Sequence, residues 1–153
     1  VAAGGNGEQN LDAPEYDSYR RRGDSGAILV GAGSADTSHQ RLWFSTYGSR
    51  IDLQGWGERV VSTGYGTYET IGNDVNQRYS IFSGTSSASP IVAAAAALVQ
   101  SYAITQLHKR ISPAEMREFL IQTGTPQGNA SGQHIGPLPN LKAAIESLGL
   151  PPK

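Results

Sequence analysis

Apolar positions fall into short runs in the first half of this chain and into helical spacings in the second. Gly26-Ala27-Ile28-Leu29-Val30-Gly31-Ala32 is a continuous apolar run bounded by glycines, the pattern of a strand covered on both faces in a parallel sheet. Val1-Ala2-Ala3-Gly4-Gly5-Asn6-Gly7 reads as the end of a buried strand running straight into a glycine turn, so the sequence is expected to start in the middle of a fold. Residues 8–25, with Pro14, Tyr16, Tyr19 and five acidic residues, read as a polar loop. Brief strands are expected at 42–44, 51–53 and 59–63, separated by Gly48 and by Gly55-Trp56-Gly57. Residues 64–80 read as a hairpin or long surface loop.

Three helices follow. The alanine-rich run to Leu107 starts beside Pro90, which a first turn tolerates. Its small side chains predict a buried central helix. Ser112-Pro113-Ala114-Glu115 is a capping-box start, with Met116, Phe119 and Leu120 at spacings of three and four and Gly124 closing the helix. A last short helix is expected from about Pro139 to Leu148, with Leu141, Ala144, Ile145 and Leu148 on one face.

Composition narrows this little. A length of 153 residues suits one domain, or part of one, with a real core. The net charge of −1 points to neither nucleic acid nor an anionic membrane surface, and Arg20 to Arg22 form too short a basic run to change that. There is no cysteine, which excludes thiolate chemistry and a disulfide scaffold. Neither a signal peptide nor a membrane-length apolar segment is read from the sequence.

The candidate chemistry lies at Phe82-Ser83-Gly84-Thr85-Ser86-Ser87-Ala88-Ser89-Pro90. A helix N-terminus offers unpaired N–H groups and partial positive charge, and a serine placed there by a glycine turn has its hydroxyl where a developing oxyanion is stabilised. A serine at a helix start is also a plain N-cap. The pattern Gly84-Thr85-Ser86-x-Ala88-Ser89-Pro90 resembles the nucleophile motif of the subtilisin-like serine proteases, the subtilases, with Ser86 as nucleophile. Ala3-Gly4-Gly5-Asn6-Gly7 resembles the subtilase segment whose asparagine amide holds the oxyanion, with Gly4 a small departure from the family's Ala-Ala-Gly-Asn. Ser25 to Ala32, Phe44-Ser45-Thr46-Tyr47-Gly48, Ile51 to Glu58 and Ser112 to Pro126 resemble further family segments in the family's order, with Gly55-Trp56 where the family has Ala-Pro.

The resemblance implies an α/β fold, a mainly parallel sheet flanked by helices in a three-layer sandwich, of which residues 1–153 are the C-terminal portion of the catalytic domain. It implies peptide-bond hydrolysis through an acyl-enzyme, with Ser86 attacking and Asn6 and the Ser86 N–H receiving the oxyanion. Ala3, Gly4, Gly5 and Thr85 are implied as substrate-binding, the first three as a wall of the primary specificity pocket. No catalytic cofactor or metal is expected, the substrate is a peptide or protein, and the compartment is extracellular.

Subtilases carry their catalytic aspartate and histidine upstream, and neither motif occurs here in its context. Asp24-Ser25-Gly26 spells the aspartate motif, yet it precedes a strand and follows the oxyanion segment, so Asp24 reads as a loop residue. His108 follows Ser86 by a helix of about 30 Å, beyond the ~3 Å reach of a base. His39 and His134 match no motif. The aspartate and histidine are therefore expected from a separate N-terminal segment, and this chain alone is expected to be inactive.

Other readings are weaker. Gly23-Asp24-Ser25-Gly26 echoes the chymotrypsin-like nucleophile segment, but that family is all-β and usually disulfide-bonded. An α/β-hydrolase elbow needs glycine at Ala88. A noncatalytic subtilase-like binding or scaffold domain stays open. Asn73, Asp74 and Asn76 offer oxygens to a structural calcium or simply form a turn. Asn129-Ala130-Ser131 is a glycosylation sequon by pattern.

Overall fold

A computed structural model describes residues 1–129 and 132–149. The sequon at Asn129 therefore lies partly outside the described residues. Three parallel strands form the main sheet in the order β1 (Ala2–Ala3), β2 (Leu29–Gly33), β3 (Leu53–Trp56). Strand periodicity sorts their side chains: Val30 and Leu53 face a core built with the helices, whereas Leu29 and the flanking Ile51 face a smaller cluster with Leu11 and Ile135. Residues 8–25 are not wholly irregular, because they hold a 3-10 turn (Pro14–Tyr16) and the short helix α1 (Asp17–Arg20). Arg20 holds α1 down by donating to the carbonyls of Leu11 and Ala13, and Tyr16 packs on the smaller cluster.

The strand expected at 42–44 is a loop joined to β2 by the bridge at Arg41, the Leu42 N–H on the Ala32 carbonyl and the Ala32 N–H on Ser45 Oγ, and the third strand begins at Leu53 and runs through Gly55-Trp56. Glycine at 55 serves strand packing here, not a turn. A Cβ there would collide with the backbone of Ala88, so its absence lets the second helix lie directly on β3. We expect Gly55→Ala to cost about 1–3 kcal/mol, the usual range for overpacking, measured by urea unfolding.

Beyond the main sheet, β4 (Val60–Thr63), β5 (Glu69–Thr70) and β6 (Arg78–Phe82) form a small antiparallel sheet in the order β4-β6-β5, which resolves the hairpin expected over 64–80. β6 delivers the chain to α2 (Thr85–Leu107). The buried positions of α2 include Thr85, Ala88, Val92, Ala95, Val99 and Ala103, a single stripe at spacings of three and four that packs on β1, β2 and β3. The opposite flank is open, with Leu98 55% exposed, so α2 is not the wholly buried helix expected. Contrary to the sequence reading, α2 is also long and apolar enough to cross a membrane by length and composition. Its packed stripe makes it a core helix instead.

The capping box of α3 (Pro113–Thr123) forms as expected: Ser112 accepts from the Glu115 N–H, and Glu115 accepts from the Ser112 N–H. Gly124 ends α3 with extended backbone, not a left-handed cap; a Cβ there would press on Pro137 and Leu138. α4 (Leu141–Ser147) is capped by Asn140, two residues inside the expected start. Met116, Leu120 and Ala144 close the core over α2.

Asp24 ties the start of β2 to α3. It accepts from Arg117 Nη1 at 2.9 Å and from the Gly26 N–H at 2.9 Å, with Arg50 at 3.9 Å. The Arg117 guanidinium, then the Gly26 amide, hold its carboxyl well below the usual carboxylate range. A depressed folded-state pKa contributes stability that is present above the ordinary value of 3.8 and lost as pH falls through the folded value. Asp24→Asn should therefore lower the melting temperature at pH 7, and the gap from the parent should close as pH falls below about 4.

Candidate active site

Sequence order and sheet geometry bring two distant segments to one point. The carboxyl end of β1 runs through Gly4 and Gly5 to Asn6, while the end of β3 leads to Gly57, whose carbonyl accepts the Gly84 N–H at 2.7 Å. In open α/β sheets, ligands bind outside the carboxyl ends of the strands, which is where this point lies. Gly84 has φ 118°, a left-handed-side conformation that side chains rarely adopt, and this sharp turn starts α2 with Ser86 in its first turn.

Asn6 closes the helix start from 79 positions upstream of Thr85. Its Oδ1 accepts from the Thr85 N–H at 2.9 Å and from Thr85 Oγ1 at 3.0 Å, while Thr85 Oγ1 accepts the Gly5 N–H at 3.0 Å. The carboxamide thus caps a helix that has no side-chain cap of its own. With the oxygen anchored, the Nδ2 end is turned outward on an exposed residue. A Cβ added to Gly84 would stand 3.1 Å from Asn6 Nδ2 and 3.3 Å from Ser86 Oγ, so these two atoms flank one small space.

Ser86 is exposed, whereas Thr85 and Ser89 on either side spend their hydroxyls internally, Ser89 on the Thr85 carbonyl at 2.7 Å. Pro90 lacks the N–H that would bond the Ser86 carbonyl, so the helix start is loosened on the same side. A concavity of about 520 Å³ opens beside Ser86, walled by β4, Phe82, Ser87, Pro90, Ile91 and Ala94. It contains neither a histidine nor a carboxylate.

The structure brings Ser86, Asn6, Thr85 and Gly5 together, while Ala3 pairs with Val30 in the sheet and Gly4 packs against Val30 and Ile51. Thr85 is 1% exposed and faces Asn6 and Gly5, not the open concavity. The histidines lie elsewhere. His108 caps the far end of α2, the His39 carbonyl accepts from Gly128 and Gln54 while its buried Nδ1 has no partner among the described residues, and the His134 carbonyl accepts from Gly48. Asp24 is held by Arg117, remote from Ser86 in its contacts, and Ser25 accepts the Ala27 N–H, closing a turn. In the loop at 73–76, Asp74 accepts from the Asn76 backbone and side chain and from Gln77, which closes the turn on its own groups.

An exposed serine in the first turn of a helix, with a carboxamide beside it, is the arrangement that a serine hydrolase requires of a nucleophile and an oxyanion donor. Residues 1–136 match the model of the peptidase S8 family, the subtilase family, and the chain belongs to it. It is 38% identical over 115 residues to a thermostable alkaline protease of Halalkalibacterium halodurans, a match covering 72% of this chain and 27% of that protein. A lanthipeptide protease shares the fold at TM-score 0.70 and 22% identity, over 97% of this chain and 50% of that one. The patellamide maturation protease PatA matches at TM-score 0.67 and 25% identity, with the same two coverages. The chain thus spans about a quarter of the curated relative's length and half of each solved structure. The α/β class expected from the sequence stands, with a parallel sheet, helices on one face and the turns of residues 8–25 toward the other.

Proposed function

We propose that this chain is the nucleophile-bearing half of a serine endopeptidase that cleaves peptide or protein substrates through an acyl-enzyme. Ser86 Oγ attacks the scissile carbonyl, and Asn6 Nδ2 with the Ser86 N–H receives the oxyanion. Ala3, Gly4 and Gly5 line the acyl side of the site, and Thr85 supports substrate binding from beneath by holding Gly5 and Asn6. The observation that carries the reading is the hydrogen-bonded junction of Asn6 with Thr85 at the turn presenting Ser86.

The histidine and aspartate come from an N-terminal segment of the same protease, which also covers surface left open here. Leu98, Ile104 and Leu107 on α2 and Val1 beside β1, an edge strand among the described residues, are exposed large apolar groups that such a segment could cover in part. The residues present alone lack a base and are inactive. Secretion follows from family membership in this reading; neither nucleic acid, membrane nor catalytic cofactor takes part, and structural calcium has no assigned position.

A fluorophosphonate probe tests the proposal. It should label Ser86 when the aspartate- and histidine-bearing segment is present and leave it unlabelled without that segment. An intact parent protein that takes no label would overturn the protease reading in favour of a noncatalytic subtilase-like scaffold.

A further inference from the structure

We propose that Arg41 is a positioning residue for the oxyanion-binding segment, acting through the backbone on both sides of Asn6. The proposal rests on the oxyanion role assigned above to Asn6.

In the sequence Arg41 stands just before residues 42–44 and belongs to no motif. In the fold its side chain is 7% exposed. Nη1 donates to the carbonyls of Leu42, Trp43 and Ser45 at 3.2, 2.7 and 2.7 Å, and Nε donates to Gln133 Oε1 at 3.0 Å. The guanidinium carbon stands 4.7 Å from the Tyr47 ring centroid, and Nη2 lies 3.8 Å from Glu8 Oε1. Burying a guanidinium is costly unless its donors are met. Here Nη1 is met by three carbonyls of one loop and Nε by Gln133, while Nη2 faces the Glu8 carboxylate, so a rigid planar fork constrains that loop's curvature.

The ordered loop then grips the segment that carries Asn6. Thr46 N–H donates to the Gly5 carbonyl at 3.0 Å, and Glu8 N–H donates to the Phe44 carbonyl at 2.9 Å. Asn6 lies between these two bonds. Tyr47 N–H and Leu11 N–H extend the pairing, each at 2.9 Å, to Gln9 and Tyr47 carbonyls. Glu8 has φ 55°, a left-handed conformation that persists for a non-glycine residue only where its surroundings impose it, and its carboxylate faces Arg41. Asn6 is therefore fixed from two directions. Thr85 holds its side-chain oxygen, and the loop ordered by Arg41 holds its backbone.

An oxyanion donor works by being placed before the charge develops, and a displacement of about 1 Å from a remote change can cost 10²-fold. A positioning Arg41 should thus act on kcat and spare KM, since the oxyanion exists only on the reaction path. A merely structural Arg41 would change the amount of folded enzyme and nothing specific to Asn6.

The test uses the complete protease, with active sites counted by fluorophosphonate titration, and compares Arg41→Lys, Asn6→Ala and the double variant. Lysine keeps the charge and loses the fork. We expect Arg41→Lys to lower kcat about tenfold with KM within about twofold, and to change kcat less than about twofold once Asn6 is alanine. An equal loss in both backgrounds, or no loss in either, overturns the proposal. If Arg41→Lys does not fold, Gln133→Ala, which removes only the Nε acceptor, is read in the same cycle by the same criteria. A parent enzyme that takes no label fails the protease reading itself, and the role of Arg41 falls with it; a labelled parent whose variants show no coupling fails only the role of Arg41.

Discussion

Replacing Ser86 by alanine should lower turnover of the complete protease by about 10⁶-fold, the loss known for subtilisin, a member of this family, when its nucleophile is removed. The size of the effect follows from the site. Thr85 and Ser89 hydroxyls are committed to Asn6 and to the Thr85 carbonyl, so neither can substitute for the lost oxygen. The adjoining concavity offers Ser87 and Ser62 but no base to activate them. Folding should be almost untouched. Ser86 is exposed, the helix is capped by Asn6 and not by its own serine, and alanine is the best helix former. Ser86→Ala should therefore keep the parent's melting temperature while losing hydrolysis and probe labelling together. Residual activity near the parent level would move the nucleophile elsewhere in the chain.

The placement of Ser86 at a glycine turn and helix start was legible in the sequence because its signals are local. Gly84, Ser86 and Pro90 are adjacent, and each residue type answers a local demand: a turn outside ordinary φ, an exposed hydroxyl, a helix start tolerant of a missing N–H. The capping box of α3 is legible for the same reason. What sequence concealed depends on long-range contact. Nothing in the neighbourhood of Gly55 announces Ala88, so a packing glycine inside β3 read as a separator. Arg41 is charged and sits among turn residues, and its burial arises only when carbonyls from three positions of its loop converge on it. Thr85 likewise gains its role from a residue 79 positions away. The open flank of α2 was misread for the converse reason, since alanine-rich spacing shows that a helix can be approached closely but not by what.

The proposed function gives Asn6 a second role beside its capping of α2, and one substitution separates the two. Its Oδ1 caps α2 through the Thr85 N–H, and its Nδ2 faces the space beside Ser86 Oγ. Alanine would remove both and confound them. Asn6→Asp keeps the shape and an acceptor toward the Thr85 N–H, but it replaces the donor with a carboxylate oxygen. For the fold, a negative charge at a helix N-terminus is favourable by about 0.3–1 kcal/mol at an exposed site, so the melting temperature should hold or rise. For catalysis the change is adverse twice. Loss of one oxyanion donor costs about 10²–10³ in turnover, a magnitude measured in subtilisin, and the new charge repels the oxyanion it faces. Asn6→Asp should thus fall at or beyond the 10³-fold end while Asn6→Ala stays within the range, and unfolding should rank the two variants in the opposite order. The helix N-terminus and the Thr85 N–H favour the charged form of the new carboxyl, so the added penalty should persist down to pH about 4 and shrink only below it. An Asn6→Asp enzyme as active as the parent would show that Asn6 serves the helix alone.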